Sequence, residues 1–166
     1  YFPKPRSSQS VANDLYEQNR ITFKPELVIK GDKRPDFGFF LNYWEMYDSL
    51  VALRAAYPTI CSLYSIGRSY QDRDLWCLKI SDNPGIDETE PEVLFDALHH
   101  AREPISLECL LYYMKWLCEN YGTDPEATYL VDNRETWFFP IVNPDGYVYN
   151  SDSGGASSEW RKNGQH

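Results

Sequence analysis

Histidine is scarce in this sequence. Only His99, His100 and His166 occur in 166 residues, so the adjacency of two of them asks for a reason. Cysteine pairs are missing as well. The four cysteines, Cys61, Cys77, Cys109 and Cys118, show no C-x-x-C spacing, which argues against a zinc knuckle or a redox dithiol. All four lie in apolar stretches and read as small buried hydrophobes. One disulfide stays open, with no pairing legible. No apolar segment approaches the ~20 residues of a membrane span, and no N-x-[ST] acceptor marks a glycosylated surface. Positive charge is outweighed: 16 Lys and Arg face 25 Asp and Glu, for a net charge of −9. That balance speaks against a nucleic-acid partner or an anionic membrane surface. The chain opens YFPKPRSS, with neither an initiator Met nor a signal-peptide pattern, which predicts a mature, processed or trimmed N-terminus.

What is present suits a folded domain. Hydrophobic residues make up 42% of a chain long enough for one domain with a core. Thirteen Tyr and five Trp supply core or cleft-lining side chains. Residues 1–37, with Pro3, Pro5, Pro25 and Pro35 and little periodicity, read as a leader, a linker or the end of a pro-segment, with one short strand at 26–29. Residues 42–57 (NYWEMYDSLVALRAAY) place Trp44, Tyr47, Leu50 and Val51 at helical spacing, and Pro58 closes the run. CSLYSIG and LWCLKIS, joined by SYQDRD, read as a hairpin. Residues 92–99 read as a buried strand, 104–122 as a helix with Pro104 in its first turn, and 125–133 as a second helix capped by Asp124. ETWFFPIV reads as a further buried strand, followed by a turn at Asn143-Pro144-Asp145-Gly146 to which no chemistry is assigned. The segment after it is a Gly/Ser loop that turns basic. There are no repeats, and this alternation predicts an α/β domain with a mixed central sheet flanked by helices.

His100 and Glu103 stand where the strand at 92–99 gives way to the next helix. In open α/β sheets, ligands collect beyond the carboxyl ends of strands. A bend there can aim both side chains at one point, and imidazole plus carboxylate suits Zn²⁺. His99 and His100 point to opposite faces if the strand persists, and only His100 has a carboxylate three residues on. Taken alone, H-x-x-E is a weak pattern that also fits a solvated His and a helix-capping Glu.

Three ordered blocks sharpen the reading: HHAREPISLE (99–108), FFPIVNPDGYVYN (138–150) and EWRKN (159–163). With the hairpin block SIGRSYQDRDLWCLKIS (65–81) they resemble the zinc metallocarboxypeptidases of the carboxypeptidase A/T type over about residues 38–163. The resemblance implies the N-terminal portion, at 38–166, of a carboxypeptidase-like α/β/α domain. It implies zinc as cofactor, with His100 and Glu103 as two ligands. Arg102 matches a residue that helps bind the substrate chain, and Arg161 matches the arginine that polarises the scissile carbonyl and steadies the oxyanion. Otherwise Arg102 would read as a surface salt bridge and Arg161 as a solvated residue in a short basic run.

The sequence departs from the family in places. Gln71-Asp72 stands where the family usually has Glu-Gly. The third zinc ligand, the Asn-Arg pair that grips the substrate carboxylate, the pocket tyrosine and the general-base glutamate have no match here. His166 falls where the family has a loop. The expectation is therefore the front half of a secreted enzyme that releases C-terminal residues from peptides, inactive without its remaining half. Two alternatives stand beside it. One is a non-catalytic structural or interaction protein derived from this fold, and the other is a related metallopeptidase acting on cell-wall peptides.

Overall fold

A computed structural model describes residues 40–153 and 159–164. The expected leader at 1–37 and the strand at 26–29 lie outside the described residues. The first helix, α1 (Tyr43–Ala56), starts where Asn42 accepts from the amides of Trp44 and Glu45 while Glu45 reaches back to the amide of Asn42. That reciprocal capping satisfies amides with no partner inside the helix. Its inner face is Tyr43, Met46 and Leu50, whereas Trp44 is 45% exposed. The reason is a long-range contact: the Tyr43 hydroxyl donates to the Asp74 carbonyl and holds that ring inward.

The hairpin forms as expected. Strands β1 (Cys61–Arg68) and β2 (Asp74–Ile80) pair antiparallel, with a register irregularity between Ser65 and Arg68. Strand β3 (Glu92–Asp96) leads to α2 (Ile105–Asn120), then α3 (Pro125–Asp132), β4 (Glu135–Phe139) and α4 (Pro144–Ser153). The sheet order is β1-β2-β4-β3, with β2 and β4 antiparallel and β3 and β4 parallel. It is a mixed four-stranded sheet flanked by helices. Asp124 caps α3 by accepting from the amides of Glu126 and Ala127.

Leu63, Leu78, Phe138 and Phe95 lie in one row across all four strands. They belong to or pack against the core that includes Leu107, Leu111 and Met114 of α2. Phe95 meets Tyr113 edge-on and stacks on Phe138.

Four expectations need correcting. The strand expected at 92–99 ends at Asp96, and residues 92–96 alternate between exposed and half-buried, with Ala97 and Leu98 buried just beyond it. It is the edge of the sheet, and Leu94, on the face away from α2, is 61% exposed. Asn143–Gly146 do not form a free turn but begin α4. Pro144 stands at its first position, and the Asn143 side chain accepts from the Gly146 amide as a cap. Strand β4 stops at Phe139 because Pro140 offers no amide for a further rung. Finally, Cys61, Cys77 and Cys118 are buried but Cys109 is exposed, on the outer side of α2. The sulfurs of Cys61 and Cys118 lie 3.5 Å apart inside the core, and burial pushes the Cys77 thiol up to about 11. No helix among the described residues is long and apolar enough to cross a membrane.

Candidate active site

Parallel pairing of β3 and β4 places their carboxyl ends together, and both chains leave the sheet there in irregular loops. The β3 loop is tied down by its backbone. The Ala97 amide donates to Phe139, those of Val142 and Asn143 donate back to Ala97 and Leu98, and Leu98 sits at φ 52°. The Leu98 amide donates to the Ser106 hydroxyl of α2. This bend ends the strand before His99 and turns the next residues over the sheet edge.

His100 Nδ1 lies 3.2 Å from Glu103 Oε2, and both side chains are partly solvent-facing. Two ligands held about 2.0–2.1 Å from a tetrahedral zinc lie roughly 3.3 Å apart. The separation and the donor types therefore fit two corners of a zinc site. Among the described residues no third histidine, cysteine or carboxylate joins them. His99 instead faces Asp96, with Nε2 3.4 Å from Oδ2. His166 lies outside the described residues.

An open cleft of about 590 Å³ begins beside this pair, lined by His99, His100, Ser69, Tyr70, Asp145 and Arg161 among others. The structure thus brings His100 and Arg161, 61 positions apart, to one cavity. Arg161 is exposed, and no carboxylate among the described residues pairs with its guanidinium. Arg102 is placed differently: its Nη1 donates to Glu159 Oε2 at 2.7 Å, the surface ion pair the sequence offered as its plainer reading. Ion pairs this exposed contribute about 0–1 kcal/mol and exchange partners readily.

Asp145 forms the floor on the hairpin side. It accepts from the Ser69 hydroxyl at 2.6 Å, the Gln71 amide at 3.0 Å and Arg73 Nη1 at 2.8 Å. Burial alone would raise its pKa, but the Ser69 and Arg73 contacts with the Gln71 amide outweigh that and hold it below the usual carboxylate range. Asp145 is a charged pin between α4 and the β1–β2 turn. Sequence reasoning passed over it, and over Asn143 and Asn150, because N-P-D-G reads first as a turn. The available signal was the seven-residue spacing of the two asparagines, which puts both on one helix face.

The comparisons bear on the family and the fold. The family model described as zinc carboxypeptidase, peptidase M14, matches residues 46–166. A zinc carboxypeptidase of Saccharothrix mutabilis subsp. capreolus is 47% identical over 151 residues, covering 91% of this chain and 35% of the relative. Human carboxypeptidase D is 43% identical over 108 residues, which are 64% of this chain and 8% of that protein. Among solved structures, thrombin activatable fibrinolysis inhibitor superposes with a TM-score of 0.68 at 28% identity, covering 76% of this chain and 30% of that one. The carboxypeptidase A of Helicoverpa armigera gives a TM-score of 0.65 at 26% identity over 92% of this chain and 36% of its own. The chain spans about a third or less of each of these relatives. By sequence and by fold, it belongs to the zinc carboxypeptidase family.

Proposed function

We propose that the protein carrying this chain is a zinc carboxypeptidase that releases C-terminal residues from peptides, and that these residues supply one side of its active site. The observation that carries the reading is that His100, in contact with Glu103, and Arg161 line one cleft. His100 and Glu103 would hold the zinc, which when bound polarises the scissile carbonyl and acidifies a water. Arg161 presents its guanidinium to the carbonyl oxygen. It has the most to offer once that oxygen becomes an oxyanion, because charged donors stabilise developing charge more than the ground state. Arg102 releases Glu159 and takes a backbone carbonyl of the substrate chain.

The third ligand, the general base and the groups that receive the substrate carboxylate belong to the remaining part of the domain. That part is the partner this chain requires, and the exposed edge of β3 is where its strands would continue the sheet. Export from the cell goes with the same reading, since the resemblance implies a secreted peptidase.

Incubation with peptides, followed by mass spectrometry, tests the proposal. The full-length protein is expected to shorten a peptide with a free C-terminus one residue at a time, and to stop when a chelator is added. The 166-residue chain alone is expected to release nothing. Cleavage of a C-terminally blocked peptide would favour the cell-wall peptidase alternative. Chelator-insensitive release, or none from the full-length protein, would overturn the proposal.

A further inference from the structure

We propose that Asn143 and Asn150 are positioning residues that fix Arg161 relative to the His100–Glu103 pair by clamping together the two backbone segments that carry them. The Asn143 side-chain amide donates to the carbonyl of His99 at 3.2 Å and to that of Lys162 at 3.1 Å. The Asn150 side-chain amide donates to the carbonyl of Ala101 at 2.7 Å and to that of Trp160 at 2.8 Å. Each carboxamide therefore bridges the same two segments. On each segment the bridged carbonyls flank the residue that matters, with His100 between 99 and 101 and Arg161 between 160 and 162. A direct bond from the Ala101 amide to the Arg161 carbonyl, 3.2 Å, closes the ladder between them.

The chemistry demands asparagine. A primary carboxamide offers two coplanar donors from one nitrogen, whereas a carboxylate of the same shape offers none and a hydroxyl only one. Asn150 is 1% exposed and Asn143 8%, so water is a poor substitute at either place. Between them, Gly146 brings the bare helix backbone against the junction. A Cβ there would lie 2.3 Å from the Lys162 carbonyl and 2.9 Å from the Ala101 Cβ. Helix α4 thus acts as a rigid bracket, and its two amides set the register of the metal loop against the arginine segment.

The catalytic consequence rests on the carboxypeptidase reading, but the clamp does not, and the test separates them. In the full-length protein, Asn143→Ser keeps a helix cap while removing the bridging amide, and Asn150→Asp replaces two donors with acceptors. Amide hydrogen exchange at Ala101 and at 160–164 is expected to quicken at least about tenfold in both, with exchange in the core of α2 unchanged. kcat should fall about 10- to 100-fold, as for a misplacement near 1 Å, with KM and zinc stoichiometry held. Either variant alone suffices if the other does not fold. Unaltered exchange at Ala101, or quickening spread evenly through α2, would overturn the clamp. Faster local exchange with unchanged kcat would overturn its positioning role. A wild-type protein without peptidase activity would defeat the carboxypeptidase reading instead, and the exchange data would still decide the clamp.

Discussion

Replacing Arg161 with alanine in the full-length protein is expected to lower kcat by about 10²–10³, the loss typical of one oxyanion donor. The side chain is solvent-facing in the cleft and has no carboxylate partner among the described residues, so its removal should leave folding almost untouched. A solvated arginine in the basic run Arg161-Lys162 would give no kinetic effect at all. Arg161→Lys should recover only part of the loss. An ammonium keeps the charge but lacks the fixed, forked donors of the guanidinium. Steady-state rates on a peptide with a free C-terminus would measure this, with zinc content checked in parallel. A change in kcat/KM below about threefold would remove Arg161 from the mechanism.

The largest stability effect should come from the pair between Lys79 and Glu135. Lys79 Nζ lies 2.6 Å from Glu135 Oε1, and the two side chains are 2% and 1% exposed. The pair also anchors the loop between β2 and β3: Lys79 donates to the Ile86 carbonyl, and the Glu88 amide donates to Glu135 at 2.8 Å. Lys79→Met would strand a buried carboxylate beside Asp87 and Glu92, whose ligand atoms lie within 4.8 Å of it. Breaking such a pair costs about 3–5 kcal/mol, whereas replacing both partners with apolar residues is often neutral. Urea unfolding of the full-length protein should therefore rank Lys79→Met well below the wild type. The double variant Lys79→Met, Glu135→Leu should recover most of the difference. Acid sensitivity should follow the same carboxylate. Burial raises the Glu135 pKa, but the bonds from Lys79 and the Glu88 amide outweigh it, so the net shift is downward. A lowered folded pKa stabilises the fold above the ordinary glutamate value, about 4.3. That stability drains away as pH falls through the lower, folded pKa. The double variant should lose this part of the acid transition. Equal stability of single and double variants would contradict the account.

How much was legible beforehand depended on distance along the chain. The His100–Glu103 pair could be read because both residues sit within one turn, at a strand-to-helix bend that composition already marked. Arg161 could be connected to them only through the family resemblance, since nothing within EWRKN says which cleft it will face. The hairpin and the Asp124 cap were plain, because alternation and capping are local. The burial of 92–96 was misjudged, though not that of Ala97 and Leu98, because EVLFD looks the same whether or not a neighbouring strand covers its edge. The start of α4 was misread because Asn, Pro and Gly serve helix N-termini and turns alike, and only the contacts of the Asn143 side chain decide between them. Cys109 shows the same limit: an apolar context established its helix but not which side of it faces solvent.

The central claim is that His100 and Glu103 are two ligands of a zinc site completed elsewhere in the protein. Metal analysis after dialysis tests it most directly, on the full-length protein, its His100→Ala and Glu103→Ala variants, and the 166-residue chain alone. About one zinc per full-length chain is expected, with near none in either variant or in the isolated chain. Full zinc retention in both variants would place the metal elsewhere and contradict the account.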